Sequence, residues 1–152
     1  METTDTVPPS RPPLSKFIIG GLISGVVSTV LNNFYGFGYT ALTGFRIPEV
    51  INVVSITSAS MITTFVGALI YFALSRFTEM ANLFFMVGGI VFALLSFVVP
   101  FSPTLPNGAP TPAGFAGLTA PMHLMAGIAC VVLVPLFVHK MDLIAQILNS
   151  EE

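Results

Sequence analysis

The chain has 152 residues, 54% hydrophobic and 8% charged, with a formal net charge of −2 and a mean hydropathy of +0.90. Soluble domains carry about 25% charged residues, so this composition excludes a soluble globule. With no Lys/Arg cluster the chain offers nucleic acid no electrostatic footprint, and its single cysteine, Cys130, excludes an intramolecular disulfide framework.

Residues 1–14 are polar and carry Pro8, Pro9, Pro12 and Pro13, which predicts a disordered cytoplasmic tail. Glu2 and Asp5, the length of the apolar run that follows and the lack of a small-residue cleavage site argue for an uncleaved first span rather than a signal peptide. A transmembrane domain is predicted over residues 15–142, with spans at about 17–43, 52–75, 80–99 and 119–139. Residues 143–152 form a short C-terminal tail in this reading. The fold class is therefore all-α: a polytopic, antiparallel four-helix transmembrane bundle.

The first span stays uncharged from Phe17 to Arg46, longer than one crossing requires, so it must tilt, break or overrun the bilayer, with Gly36 and Gly38 as the natural break. Gly21 and Gly25, beside Gly20, Ser24 and Ser28, make a groove of small residues for helix packing, either within the chain or between two copies. Tyr35 and Tyr39 fall where an interfacial aromatic belt is expected. The connection over 44–50 carries Arg46 and Glu49. The second span is rich in hydroxyls, among them Ser55, Thr57, Ser58, Ser60, Thr63 and Thr64, which can bond to their own backbone or form a stripe facing the bundle.

The turn over 76–79 implies a hairpin with the third span, in which Gly88, Gly89 and Ala93 offer a second close-packing face. The uncharged 100–113 segment contains Pro100, Pro103, Pro106, Pro110 and Pro112 and predicts an irregular loop, partly polyproline II, lying on the headgroups or serving as a lid or docking surface. The last span is expected to start on Thr119 as N-cap with Pro121 in its first turn, to bend at Pro135 and to end at Lys140 and Asp142. Arg11, Lys16, Arg76 and Lys140 lie on one side of this arrangement and Arg46 on the other, which by the positive-inside rule predicts a plasma-membrane protein with both termini cytoplasmic.

Counting sixteen residues inward from each cytoplasmic end gives a level about 24 Å deep. That level meets Asn33, beside Asn32, in the first span, Ser58 and Ser60 in the second, Ser96 in the third and His123 in the fourth. Polar groups left unpaired in hydrocarbon cost several kcal/mol, so these six should face inward and meet, with His123 against Asn32 or Asn33. Two readings stand: a structural clasp, or a small outward-open pocket in which His123 is the proton-sensitive group.

Other chemistries fit poorly. His123 and His139 sit on one helix about 24 Å apart, so one chain cannot ligate a haem with both, and no Cys/His/carboxylate cluster suits zinc. Cys130 lies mid-span, where a thiol is inert, and the spans hold no paired carboxylates. No catalytic residue, metal or cofactor is therefore expected.

The last span opens Pro121-Met122-His123-Leu124-Met125-Ala126-Gly127 and closes Val134-Pro135-Leu136. Together with the polar tail, the hydroxyl-rich second span and the tight basic turn, it resembles small bacterial four-span membrane proteins grouped as a domain of unknown function. The likeness covers about residues 15–140 and implies the fold and a bacterial plasma membrane, but no activity. Two functions remain open. The first is a structural or accessory subunit that packs in the lipid bilayer with a larger membrane partner or with itself; the second is a minimal transporter or sensor with a polar pocket at Asn32, Asn33 and His123.

Overall fold

A computed structural model describes residues 11–149. Most of the predicted N-terminal tail, residues 1–10, and residues 150–152 lie outside the described part. The described residues are helical, with α1 over Leu14–Thr43, α2 over Val53–Phe77, α3 over Ala81–Ser96, α4 over Phe115–Ile128 and α5 over Val134–Asn149. A π turn, Ala129–Leu133, joins α4 to α5, and a short 3-10 turn, Val99–Phe101, follows α3. Four stretches are long and apolar enough to cross a membrane: Leu14–Thr43, Val53–Phe77, Ala81–Phe101 and Phe115–Met141.

α1 is the element the others pack on. It begins directly after Pro13, whose extended backbone sets the entry, and it runs for 30 residues without interruption. The expected break at Gly36 and Gly38 is absent: both are helical, because glycine weakens a helix by only about 1 kcal/mol per residue and the flanking aromatic residues continue it. The helix stops at Gly44, in the left-handed region at φ 69°, whose N–H donates to the Thr40 carbonyl.

The small residues of α1 serve two neighbours. A methyl group at Gly21 would lie 2.7 Å from the Ala68 Cβ and 3.2 Å from the Thr64 carbonyl oxygen, so α2 backbone approaches there. At Gly25 it would lie 2.7 Å from both the Met61 Sδ and the Thr64 Oγ1. Gly20 faces the other way, onto Val138 and the Val134 carbonyl of α5. In α3 only one of the two glycines packs: Gly89 sits against Val131, whereas Gly88 has nothing within 4 Å. The expectation that both Gly88 and Gly89 pack fails because adjacent helical residues point about 100° apart.

α2 starts with a capping box in which the Asn52 side chain accepts from the Ser55 N–H and the Ser55 hydroxyl accepts from the Asn52 N–H. At the end that carries the 76–80 turn, Phe17, Ala68, Tyr71, Ala81, Phe85, Val134 and Val138 form a buried core. Tyr71 stacks on Phe85 at 4.8 Å between ring centroids, and its hydroxyl lies 2.8 Å from the His139 Nε2. Arg76 covers the Phe72 ring at 4.6 Å and donates to the Pro12 carbonyl, which ties the start of the described chain to this end.

The last helix departs from expectation at both ends. It begins at Phe115 after Gly114, at φ 92°, a full turn before Thr119, and Thr119 does not cap it but donates its hydroxyl to the Phe115 carbonyl. Pro121 therefore lies inside the helix and removes the N–H that would bond the Gly117 carbonyl. Tyr35 replaces that donor, its hydroxyl 2.7 Å from the Gly117 oxygen, while Tyr39 donates to the Gly114 carbonyl at 2.9 Å. The two tyrosines clamp the start of α4. Tyr35→Phe should cost about 1 kcal/mol of thermal or denaturant stability, and Pro121→Ala should cancel that loss by restoring the N–H. A double-mutant cycle with no coupling between the two positions would refute the clamp.

Ahead of Pro135 the π turn takes up the misfit that a missing N–H imposes, where a simple bend was expected. The helix then continues to Asn149 instead of ending near Asp142, since residues 141–148 contain no glycine or proline and consist largely of good helix formers. The proline-rich segment is also more ordered than an irregular polyproline loop. The Leu105 N–H donates to the Ala109 carbonyl at 2.8 Å, the Thr111 N–H to the Pro103 carbonyl at 3.0 Å, and Gly108 turns the chain at φ 80°. Leu105 is buried in this hairpin-like turn.

Candidate functional site

One polar stripe runs along α1. Ser24, Ser28 and Asn32 recur every four residues and are all buried, so they stack along one side of the helix. Ser24 needs no outside partner, since its hydroxyl donates to the Gly20 carbonyl at 2.7 Å. Asn32 reaches across to α2, its Nδ2 donating to the Ser60 Oγ at 3.0 Å and lying 3.5 Å from the Ser28 Oγ. Ser60 in turn is held by its own helix, where its carbonyl accepts from the Thr64 hydroxyl at 3.1 Å.

These bonds use only one side of the amide. Asn32 is 3% exposed, and its Oδ1 is buried without a hydrogen-bond partner. Such an acceptor costs about 1–3 kcal/mol when left unmade. Asn32 and Ser60 line a cavity of about 370 Å³, whose opposite wall is Thr119, Met122, His123 and Ala126 of α4. On α2 the wall is Ser55, Ile56, Ala59, Ser60 and Thr63, while the four α4 residues fall on one stripe at spacing 3, 4 and 7. Val50 and Ile51 of the first connection and Pro106 of the hairpin-like turn border the cavity, which therefore reaches the loop end.

His123 does not meet Asn32 or Asn33 directly. Its Nδ1 lies 3.4 Å from the Ser96 Oγ, and the Ser96 hydroxyl is already directed at the Ala93 carbonyl at 2.8 Å. Asn33 turns onto its own helix, donating to the Thr29 carbonyl at 2.9 Å, and its Oδ1 is likewise buried and unpartnered. Ser58 is exposed, because it lies two residues from buried Ser60 and so about 200° around α2. Of the six residues at the predicted depth, Asn32, Ser60 and His123 come together around one cavity, Ser96 supports His123 from behind, and Asn33 and Ser58 belong to other faces.

Sequence reasoning missed Thr63, Met122 and Pro106 as wall residues. Thr63 was one hydroxyl among many, and Pro106 reaches the cavity only because the turn folds back. The spacing of Thr119, Met122, His123 and Ala126 was the one available signal for the α4 wall.

The cavity can hold a small molecule: its volume lies within the range of about 300–1,000 Å³ found for ligand pockets. Its walls are mostly apolar and, among the described residues, carry no formally charged side chain; their polar members are Asn32, Ser55, Ser60, Thr63, Thr119 and His123. No family model, no curated protein and no solved structure matches the chain, so the chemistry of this cavity is the basis for assigning a role.

Proposed function

We propose that the chain is a small-molecule-binding membrane protein, a minimal transporter or sensor, whose ligand is a neutral, mostly apolar molecule carrying a hydroxyl or amide group. The observation that carries this reading is a mostly apolar cavity of about 370 Å³ that Asn32, Ser60 and His123 border together. A solid layer of paired polar groups would have favoured a clasp; an open cavity bordered by several polar residues favours a ligand. Purified protein should bind a hydroxylated or amide-bearing amphiphile saturably, with a thermal shift that depends on Asn32. A broad panel of such compounds that gives no binding would remove this reading.

In the same proposal the four helices cross a plasma membrane as an antiparallel bundle, with both termini cytoplasmic and the cavity opening outward. Arg11 and Arg76 meet at one end of the molecule, while Arg46 belongs to the connection at the other, which is the charge bias this orientation requires. Single cysteines at Asn107 and at Glu79, in a Cys130→Ser background, should be labelled by an impermeant reagent from opposite sides, Asn107 from outside. Labelling of both from one side would refute the topology.

The accessory-subunit reading keeps one specific support. α3 buries only Ala81 and Phe85, and Gly88 faces open space, which gives a second helix a smooth surface to approach.

A further inference from the structure

The Asn32 cavity has a neighbour on each side. An outer chamber of about 470 Å³ is walled by Ser102, Thr104 and Leu105 of the hairpin-like turn and by Phe115 at the start of α4. Val50, Ile51, Pro106, Thr119 and His123 border both this chamber and the Asn32 cavity, so the two adjoin broadly. A deep chamber of about 250 Å³ lies on the other side, between Gly89, Phe92 and Ala93 of α3 and Gly127, Cys130 and Val131 of the facing helix. Thr63, His123 and Ala126 border both it and the Asn32 cavity, so single side chains stand between them. His123 borders all three spaces.

From Phe115 to Val131 the series covers about 24 Å at 1.5 Å per residue, with His123 at its midpoint. Its two ends differ in chemistry. The polar share of the walls is largest in the outer chamber, with Ser102, Thr104 and Thr119, and smallest in the deep one. In the deep chamber the Ser96 hydroxyl donates to the Ala93 carbonyl at 2.8 Å, and the Cys130 thiol is directed at the Thr63 carbonyl at 3.7 Å. A ligand hydroxyl placed there would leave water and find few partners in return, whereas an alkyl chain gives up nothing. Packing shuts the deep end: Gly89 sits against Val131, and a Cβ at Gly67 would run into the Cys130 Sγ, with buried Phe85 behind it.

We propose that the ligand of the Asn32 cavity is a single-chain amphiphile, its hydroxyl or amide held on the loop side of His123 among Asn32 and Thr119, its alkyl chain passing Ala126 into the deep chamber. The assignment rests on the small-molecule reading above and adds the ligand's shape and direction. Ala126 is the waist, since a methyl group leaves the most room of the three side chains that divide the two spaces.

The test uses the full chain in a mild detergent with two photoreactive octanols, one carrying its diazirine beside the hydroxyl and the other at the chain end. Adducts are located by peptide mass spectrometry, and those displaced by excess unmodified octanol are counted. The hydroxyl-side probe should mark Thr119 and Met122, and the chain-end probe Cys130 and Val131. Ala126→Leu, at a position with cavity on both sides, should reduce the chain-end adducts at Cys130 and Val131 at least about tenfold, the lower bound for one methylene too many in an apolar pocket. The order of the two probes on the parent chain decides the direction even if that variant fails to fold. The same adducts from both probes, or hydroxyl-side adducts at Cys130, overturn the assignment. Chain-end adducts that persist in Ala126→Leu overturn the passage, since the chain then enters from the bilayer past exposed Phe92. Displaceable adducts confined to the Asn32 cavity refute the deep chamber's part and leave the small-molecule reading standing, whereas adducts that octanol displaces nowhere refute both.

Discussion

Gly21→Leu is expected to destabilise the folded chain by about 3 kcal/mol, the upper part of the range for overpacking a close-packed site. A Cβ at Gly21 already meets the Ala68 Cβ at 2.7 Å, the Thr64 carbonyl oxygen at 3.2 Å and the Phe65 Cα at 3.5 Å. Two of these three belong to backbone, which cannot rotate aside, so α1 and α2 must separate along their contact. Gly25 is the internal comparison. Its nearest neighbours, the Met61 Sδ and the Thr64 Oγ1, are side-chain atoms that can move, so Gly25→Ala should cost less than Gly21→Ala. Gly88→Ala should be neutral or stabilising by up to about 1 kcal/mol, because open space surrounds it and alanine is the better helix former. Denaturant unfolding in mixed micelles measures all four variants. Equal losses at Gly21 and Gly88 would show that the α1–α2 contact does not set stability.

Asn32→Leu should separate stability from binding. The substitution forfeits the bond to Ser60, worth about 0.6–2 kcal/mol between helices, and removes a buried acceptor that costs about 1–3 kcal/mol while unpaired. The two nearly cancel, so the variant should fold with stability equal to or slightly above that of the parent in the absence of ligand. Its affinity for a hydroxylated or amide-bearing amphiphile should fall about 10–100-fold, since the cavity wall then loses its amide. Ligand-dependent thermal shifts of parent and variant, measured side by side, give both quantities. A large loss of stability with unchanged affinity would mean that Asn32 is a clasp between α1 and α2 and that the cavity takes its ligand elsewhere. Ser58→Ala is the control at the same predicted depth, and it should change neither quantity because Ser58 is exposed.

Run lengths and charge positions along the chain already carried the helical class and the number of apolar stretches, because a run of about 20 apolar residues states a length whatever it packs against. Position along each helix was legible for the same reason. Distance along a helix is counted directly in residues, and Asn32, Ser60 and His123 do border one cavity. The rotation of each helix about its axis was not legible. A soluble helix declares its inner face by an apolar stripe against polar residues, whereas here both the neighbours and the surroundings accept apolar side chains, so the pattern orients nothing. Only packing decided that Ser60 faces in while Ser58 faces out, that Gly89 meets Val131 while Gly88 meets nothing, and that His123 turns to Ser96 instead of Asn32. The ends of the elements were decided by tertiary partners too. α4 starts at Phe115 with Pro121 inside it, and the hydroxyl of Tyr35, 82 positions from Gly117, supplies the donor that the proline removes. Local sequence around Thr119 signals a cap because it holds no trace of that distant donor, and the hydrogen bond becomes available only once α1 and α4 lie side by side.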